Sequence, residues 1–359
     1  MTIERVEIAP FEPRFLGAGY RMSFVHQRVL HNRLLRITLA NGRIGVGEVV
    51  RWMTYPPEEA AALEDAAVGD LVGRPLADLP GIVSELRRAD FRLIGLAHGL
   101  DTAFHDLVGR AADLPVSALL GGPETGDVPE VLSLSSEAPE MMADIVRCEG
   151  PSFRVIQAKL GVDDIDTDMR RVEAVLAEMR QDQLVLADFN GKLGAEDAAS
   201  ALPAIRDPRL VWEEPCGRHE ENIAVAARLA QPVLFDQCLE TPEICAAVAR
   251  SGAAWGMVVK PGLLGGLAVT RFLRDLCAAS GLRMRIDGPW CGEVGAAASL
   301  HLAIGAPKDL LLGSIDLTAA LETPRRMIGR PAPGRVGPRA GAGLGPLPDD
   351  LFPSVMAAA

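Results

Sequence analysis

The sequence predicts a parallel β/α barrel that follows a separate block of antiparallel strands and helices. At least seven short apolar runs, each followed by helical spacing, recur after Val131 within about 190 residues, which favours a closed barrel over an open sheet. Before them, Asn41-Gly42 joins two alternating apolar segments and therefore indicates a β-hairpin. No GxGxxG motif opens a helix after the first strand, so a dinucleotide-binding fold is not indicated.

The chain is expected to divide into three parts. Residues 1–125 contain alternating strands over 28–50 and helical spacing from Pro57 to about Gly122. Residues 126–325 contain the repeated strands, which are predicted at 155–160, 184–187, 210–212, 233–235, 257–259, 284–286 and 310–312. Residues 326–359 form a tail rich in Gly, Pro and Arg, which is too irregular for another helix and is expected to pack back along the surface.

Composition narrows the class of protein. The net charge is −12 at pH 7, whereas a surface that binds nucleic acid needs clustered Lys and Arg, so no nucleic-acid partner is expected. The first residues carry charges where a signal peptide has an apolar core, and the longest stretch without charged residues, 294–307, is shorter than the ~20 residues of a membrane span. The six cysteines lack CxxC spacing and are expected to be reduced thiols. We therefore expect a cytoplasmic protein without a membrane partner.

Charged residues recur immediately after successive predicted strands. They are spaced by 23 to 29 residues, which is about one β/α unit each, and they are Lys159, Asp188 (with Asn190), Glu213 (with Glu214), Asp236, Lys260 and Asp287. Because the carboxyl ends of barrel strands meet at one mouth, these side chains are expected to converge there.

Three of these residues suit a metal ion. Asp188, Glu213 and Asp236 follow consecutive strands, and neighbouring carboxylates repel one another unless a cation lies between them. Oxygen-only ligands favour Mg²⁺, with Mn²⁺ as a possible substitute, over zinc. Lys159 and Lys260 would then flank the ion on strands two and six of eight, which lie across the barrel from each other.

These segments resemble the ordered motifs of the enolase superfamily, in its mandelate racemase and muconate lactonizing enzyme branch. The segments are 157–161, 186–190, 212–215, 235–237, Lys260 with 264–267, and, outside the barrel, 44–48, 101–106, 119–122 and 343–345. The resemblance implies a modified TIM-type (β/α)7β barrel with an α+β capping domain, formed by the N-terminal segment and the C-terminal tail. It also implies one Mg²⁺ per chain and a homo-oligomer.

The resemblance implies an enzyme that abstracts the proton α to a carboxylate through an enediolate, with Lys159 and Lys260 as the two bases. Racemisation or epimerisation of a proline-like or N-alkylated amino acid is the leading interpretation, since a substrate ammonium would bring the summed charge of the site to zero. Dehydration of a β-hydroxy amino acid such as cis-3-hydroxyproline is the second interpretation. Cycloisomerisation and a binding protein on a retained barrel remain open.

Residues 287–292 and Gln157 resemble the proline-betaine epimerase and cis-3-hydroxyproline dehydratase subset, in which the tryptophan, here Trp290, faces the substrate nitrogen; packing between barrel and helix would also explain Trp290. Loops at 20–31 and 51–55 are expected to reach over the mouth. The expected substrate contacts are Gln157, Asn190, Asp287, Trp290, Tyr20, His26 and Tyr55. Beside the metal ligands we expect Glu214 and Gln237, the latter where the family usually has Glu. Cys238 and Cys291 are expected to be wall residues because neither has a base partner.

Overall fold

The N-terminal part contains an antiparallel sheet. The computed structural model describes residues 1–51, 56–288, 290–323, 326–348 and 350–352. Strands β1 (Ile3–Phe11), β4 (Asn32–Leu39) and β5 (Ile44–Val49) form the sheet in the order β1-β4-β5. Strands β2 (Tyr20–Met22) and β3 (Val25–Gln27) form a separate hairpin. The hairpin predicted at Asn41-Gly42 is confirmed, because β4 and β5 pair across that turn.

Helices cover one face of this sheet. They are α1 (Pro57–Gly69), α2 (Leu79–Ala89), α3 (Ile94–Ala112) and α4 (Val116–Leu119). Helix α3 lies so close to β5 that a Cβ atom on Gly47 would be 1.9 Å from the carbonyl oxygen of Gly99. Only glycine permits this approach of two backbones. Sheet and helices bury an apolar core of their own.

A parallel barrel makes up most of the remaining chain. Its strands are β7 (Val131–Leu134), β8 (Val155–Lys159), β9 (Leu184–Asp188), β10 (Leu210–Glu213), β11 (Val233–Phe235), β12 (Gly256–Val259), β13 (Arg283–Ile286) and β14 (Leu311–Gly313), paired in chain order. The helices between them are α5 (Pro139–Cys148), α6 (Ile165–Glu178), α7 (Ala195–Ala201), α8 (His219–Ala226), α9 (Pro242–Ser251), α10 (Pro261–Leu264), α11 (Leu267–Ala279) and α12 (Glu293–Ala303). The predicted fold class, a barrel with an α+β cap, is confirmed.

The first and last strands close the barrel through two backbone hydrogen bonds at Ser314. Its carbonyl accepts from the N–H of Val131 and its N–H donates to Pro129, each at 2.9 Å. Inward-facing positions on the amino-terminal side of the site are apolar: Val131, Val155, Leu186, Val211, Leu234, Val258 and Leu312. Two residues further along several strands, the inward positions are charged or polar, so the strand period of two places the site above an apolar floor.

The tail returns to both parts of the chain. In the tail, β15 (Ile328–Gly329) and β16 (Arg335–Pro338) pair with each other, and β16 also pairs with β6 (Val128–Pro129). Further on, the buried N–H of Leu344 donates to the Asp106 side chain of α3 at 2.8 Å. The division at residues 125 and 325 stays a prediction. Among the described residues, no helix combines the length and apolarity that a membrane crossing requires.

Two carboxylates from the N-terminal part cap barrel helices. The Glu48 side chain is fully buried and accepts from the N–H groups of Gly292 (2.7 Å) and Gly295 (3.0 Å), at the start of α12. The Asp101 carboxylate accepts from the N–H of Ala268 in the first turn of α11, at 3.0 Å. Helix N-termini carry unpaired donors and partial positive charge, so both contacts fasten the cap to the barrel.

Candidate active site

Three carboxylates converge at the mouth of the barrel. Asp188 and Glu213 end β9 and β10, and Asp236 follows β11. Each offers an oxygen within 4.8 Å of the others, and all three side chains are at most 1% exposed. The structure therefore brings together the three residues that the sequence predicts as metal ligands.

The two lysines lie on either side of this trio. Lys159, at the end of the second barrel strand, forms an ion pair with Asp188. Lys260 follows the sixth strand, and its Nζ lies 2.5 Å from Oδ1 of Asp236. Three strands lie between them on either side of the eight-stranded barrel, so their amines approach the space between the carboxylates from opposite sides.

Two residues with positive φ orient the carboxylates. Asn190 (φ +47°) donates its backbone N–H and its Nδ2 to Asp188, at 2.8 and 3.0 Å. Glu214 (φ +42°) accepts from the N–H groups of Asp236 (2.6 Å) and Cys238 (2.7 Å). Residues other than glycine rarely adopt this conformation, and such strain clusters at functional sites. Asn190 therefore acts on the Asp188 carboxylate directly, whereas Glu214 fixes the backbone from which the Asp236 side chain projects.

Arg285 is a site residue that the sequence reasoning missed. It occupies an inward position of β13, is 1% exposed, and donates Nη1 and Nη2 to the two oxygens of Glu213 at 2.6 and 2.8 Å. Its Nε donates to Asp287 at 2.6 Å. The available signal was an arginine two positions before Asp287, and a strand period of two places both residues on the same inward face.

A chain of hydrogen bonds connects the β2–β3 hairpin to the carboxylates. The Tyr20 hydroxyl lies 2.5 Å from Oγ of Ser133, which donates to Oε1 of Gln157 at 2.7 Å. The amide nitrogen of Gln157 donates to Asp188 (2.9 Å) and Glu213 (3.0 Å). Ser133, an inward residue of β7, was also missed. The hairpin is thus connected to the predicted metal ligands through two side chains, Ser133 and Gln157.

Burial and mutual repulsion shape the electrostatics of the site. Burial and the charge of Glu213 raise the pKa of Asp188, although Lys159 opposes this. Burial would also raise the pKa of Glu213, but the Arg285 guanidinium lowers it well below its usual range. Burial, reinforced by the charge of Asp236, raises the pKa of Glu214 to about 8. Three buried carboxylates repel one another when all are ionised, so a cation bound between them would stabilise their charged forms.

The donor set fits a divalent cation. The Asp236 carboxylate accepts no hydrogen bond in the part of the chain that the structure describes, and its Oδ1 forms an ion pair with the Lys260 amine at 2.5 Å. Buried carboxylate oxygens without a donor are unfavourable unless a cation contacts them. Three carboxylates without sulfur or imidazole are typical of Mg²⁺ or Mn²⁺ sites.

The cavity above the carboxylates is small and has one apolar side. Its lining residues are Tyr20, Met22, Ser133, Gln157, Lys159, Gln237, Lys260, Arg285, Asp287, Trp290, Ile315 and Leu317. Its volume of about 20 Å³ suffices for about one water molecule, so a substrate must displace side chains or the hairpin. The Trp290 ring lies edge-on to Tyr20, with 5.7 Å between centroids, and Trp290 has a φ of +65°.

Several predicted residues have other surroundings. His26 is exposed and its Nε2 lies 2.6 Å from the carbonyl oxygen of Ala18, on the hairpin face opposite to Tyr20. Tyr55 lies outside the described residues, as does most of the 51–55 loop. Asp287 is fully buried and accepts from the N–H of Ile315 at 2.9 Å. Cys238 and Cys291 are buried, and burial raises the pKa of both thiols, which disfavours a nucleophilic thiolate.

Two family models match the chain. The N-terminal domain of mandelate racemase / muconate lactonizing enzyme matches residues 13–121, and the enolase C-terminal domain-like family matches residues 137–350. The chain belongs to the mandelate racemase/muconate lactonizing enzyme family of the enolase superfamily.

Individual relatives in this family are enzymes with several activities. Cis-3-hydroxy-L-proline dehydratase from Roseibium aggregatum is 31% identical over 240 residues, which is 64% of this chain and 65% of that protein. The L-Lys-D/L-Arg epimerase from Methylococcus capsulatus is 26% identical over 313 residues, 84% of this chain and 88% of that protein. A member of the enolase superfamily from Roseovarius nubinhibens ISM, solved in complex with magnesium, has 27% identity and a TM-score of 0.87, covering 97% of this chain and 96% of its own.

Membership of the mandelate racemase/muconate lactonizing enzyme family makes this chain an enzyme and agrees with its architecture of a capped barrel. The segment after the eighth strand contributes apolar residues to the site. Asp316 follows that strand, but its side chain turns away from the cavity. It accepts hydrogen bonds from the N–H of Thr318 (2.9 Å) and from Nη2 of Arg330 (2.6 Å). Ile315 and Leu317 face the cavity instead.

Proposed function

We propose that the protein catalyses Mg²⁺-dependent proton transfer at the carbon α to a carboxylate, and that it racemises or epimerises a small proline-like or N-alkylated amino acid. The observation that carries this proposal is the placement of Lys159 and Lys260 on opposite sides of three converging carboxylates. The magnesium-bound relative supports Mg²⁺ as the resident ion, and Mn²⁺ is expected to replace it.

Each lysine has its own task in this reaction. One amine removes the α-proton from its face of the substrate, and the other delivers a proton to the opposite face, which inverts the carbon. Asp188, Glu213 and Asp236 would hold the cation, and Asn190 and Glu214 keep Asp188 and Asp236 oriented. When bound, the cation supplies positive charge that stabilises the negative charge developing on the substrate carboxylate.

The walls of the cavity favour a compact substrate. Ile315, Leu317 and Trp290 give one side an apolar surface suited to a ring or to N-alkyl groups. Asp316 faces away and pairs with Arg330, so it does not offer a carboxylate to a substrate ammonium. We infer that a substrate cation contacts the aromatic faces of Trp290 and Tyr20. A homo-oligomer in the cytoplasm remains our expectation for the assembled enzyme.

Dehydration of a β-hydroxy amino acid is the second candidate, and the 31% identity to cis-3-hydroxy-L-proline dehydratase favours it. The same two amines serve this reaction. One, as a neutral amine, removes the α-proton; a double bond then forms between the α- and β-carbons as the carbon–oxygen bond at the β-carbon breaks, and the other, as an ammonium, protonates the departing hydroxyl to give water.

Incubation in D₂O with Mg²⁺ separates the two candidates. Proline betaine, hydroxyproline betaine and cis-3-hydroxyproline are followed by proton NMR, with prolinamide as a control that keeps the α-proton but lacks the carboxylate. Deuterium at Cα with inverted configuration supports epimerisation, and loss of the β-hydroxyl supports dehydration. Exchange of the α-proton of prolinamide contradicts the proposed substrate class. Turnover of dipeptides by a protein that turns over none of the three ring amino acids contradicts it as well.

A further inference from the structure

Arg285 is buried inside the barrel beside the predicted metal site. It contacts two carboxylates at once, because its two terminal nitrogens donate to both oxygens of Glu213 while its Nε donates to Asp287. Each of the three side chains is at most 1% exposed. A planar guanidinium that matches both oxygens of a carboxylate fixes the orientation of that carboxylate as well as neutralising it.

The three internal cations of the site differ in how they hold their partners. Lys159 contacts Asp188, and Lys260 contacts Asp236, through a single amine at the end of a four-carbon chain. Arg285 instead holds Glu213 through two parallel hydrogen bonds. The lysine pairs can open by rotation about side-chain bonds, whereas the guanidinium fork must break two buried hydrogen bonds together, which is unfavourable.

We propose that Arg285 is a positioning residue for the metal site: it holds Glu213, the central ligand of the trio, in one orientation whether or not a cation is present. Asp287 completes this arrangement, because it accepts from Nε of Arg285 and from the N–H of Ile315 and so joins the seventh and eighth strands. The inference rests on the proposed metal site.

The variant Arg285→Lys tests this role because it keeps the positive charge and removes the fork. Mg²⁺ binding is measured by calorimetry on the metal-free protein. We expect the dissociation constant to rise at least about tenfold, which corresponds to ~1.4 kcal/mol. The matched control Arg274→Lys changes another buried arginine, which bonds the carbonyl of Leu120 and Asp275 away from the site, and its Mg²⁺ affinity should not change. An affinity in Arg285→Lys within twofold of the wild type overturns the inference.

A second measurement uses the wild-type protein and covers the case in which the variant does not fold. In a crystal structure with Mg²⁺ we expect both Arg285–Glu213 distances to stay within hydrogen-bond range, below about 3.2 Å. The lysine pairs, in contrast, are expected to open. Separation of Arg285 from Glu213 in that structure overturns the inference, whereas a wild-type protein that binds no Mg²⁺ overturns the proposed metal site itself.

Discussion

At the scale of single residues, the alternation of inward-facing and outward-facing side chains along each strand places the charged residues of the site at the mouth of the barrel. Along β8, Val155, Gln157 and Lys159 face inward in turn, from the apolar floor to the mouth. Lys159, the metal trio and Lys260 could be predicted, because each comes directly after an apolar run at the spacing of one β/α unit. Arg285 could not, because its strand was identified from the flanking apolar residues Met284 and Ile286, and an interior charge becomes plausible only once its partner is known.

The lysines should be separable by the face from which they act. Lys159→Met and Lys260→Met are each expected to reduce epimerisation by about 10³-fold or more, because each removes one acid/base group. Each variant should still exchange the α-proton of one enantiomer with D₂O, since the remaining amine reaches one face. The exposed control Lys308→Met should behave as the wild type. Full epimerisation by Lys260→Met would rule out the two-face mechanism.

His301 gives a prediction about pH. Burial lowers the pKa of His301 to about 4, and its Nδ1 accepts from the N–H of Ser117 at 3.3 Å. Between about pH 6.5 and 4 the unfolded chain therefore binds a proton that the folded protein does not, so the free energy of unfolding falls as the pH falls. His301→Asn keeps an acceptor and removes the titration.

We expect urea titrations of His301→Asn to lose about 2 kcal/mol less stability than the wild type between pH 7 and pH 5. His31→Asn, at an exposed position, serves as the control and should follow the wild type. An identical loss in wild type and His301→Asn would show that this histidine does not contribute to acid sensitivity.

At the scale of elements, capping contacts join the two parts of the chain. The β4–β5 hairpin could be predicted from Asn41-Gly42, and the helices from their spacing, because both signals are local. The contact of Glu48 with the first turn of α12 could not, since it joins residues more than 240 positions apart. The β2–β3 hairpin was expected only as a loop, because strands of three residues carry little pattern.

Removal of the Glu48 carboxylate should weaken the contact between the N-terminal part and α12 and so destabilise the protein. Glu48→Ala leaves the N–H groups of Gly292 and Gly295 and the amide of Asn32 without their acceptor. We expect a loss of about 3 kcal/mol in the free energy of unfolding, measured in urea. Glu173→Ala, at an exposed position of α6, should change it by about 0.5 kcal/mol or less. A loss in Glu48→Ala no greater than in this control would contradict the capping role.

At the scale of the whole molecule, the fold presents one chemical centre between a cap and a barrel. Fold class and metal trio could be predicted from the sequence because each β/α unit repeats the same signal. The direction in which Asp316 points could not, because it depends on Arg330 of the returning tail. Substrate choice could not be predicted from the sequence either, because residues of the cap, the barrel and the segment after strand eight together line the cavity.

The most direct test of the central claim is α-proton exchange in D₂O, followed by NMR, on a substrate that the wild-type protein turns over. We expect no exchange after treatment with EDTA, full recovery on addition of Mg²⁺, and no exchange in Asp236→Asn at any Mg²⁺ concentration, because this variant lacks one of the three converging carboxylates. Exchange that persists in EDTA, or that survives in Asp236→Asn, would contradict metal-dependent proton transfer at this site.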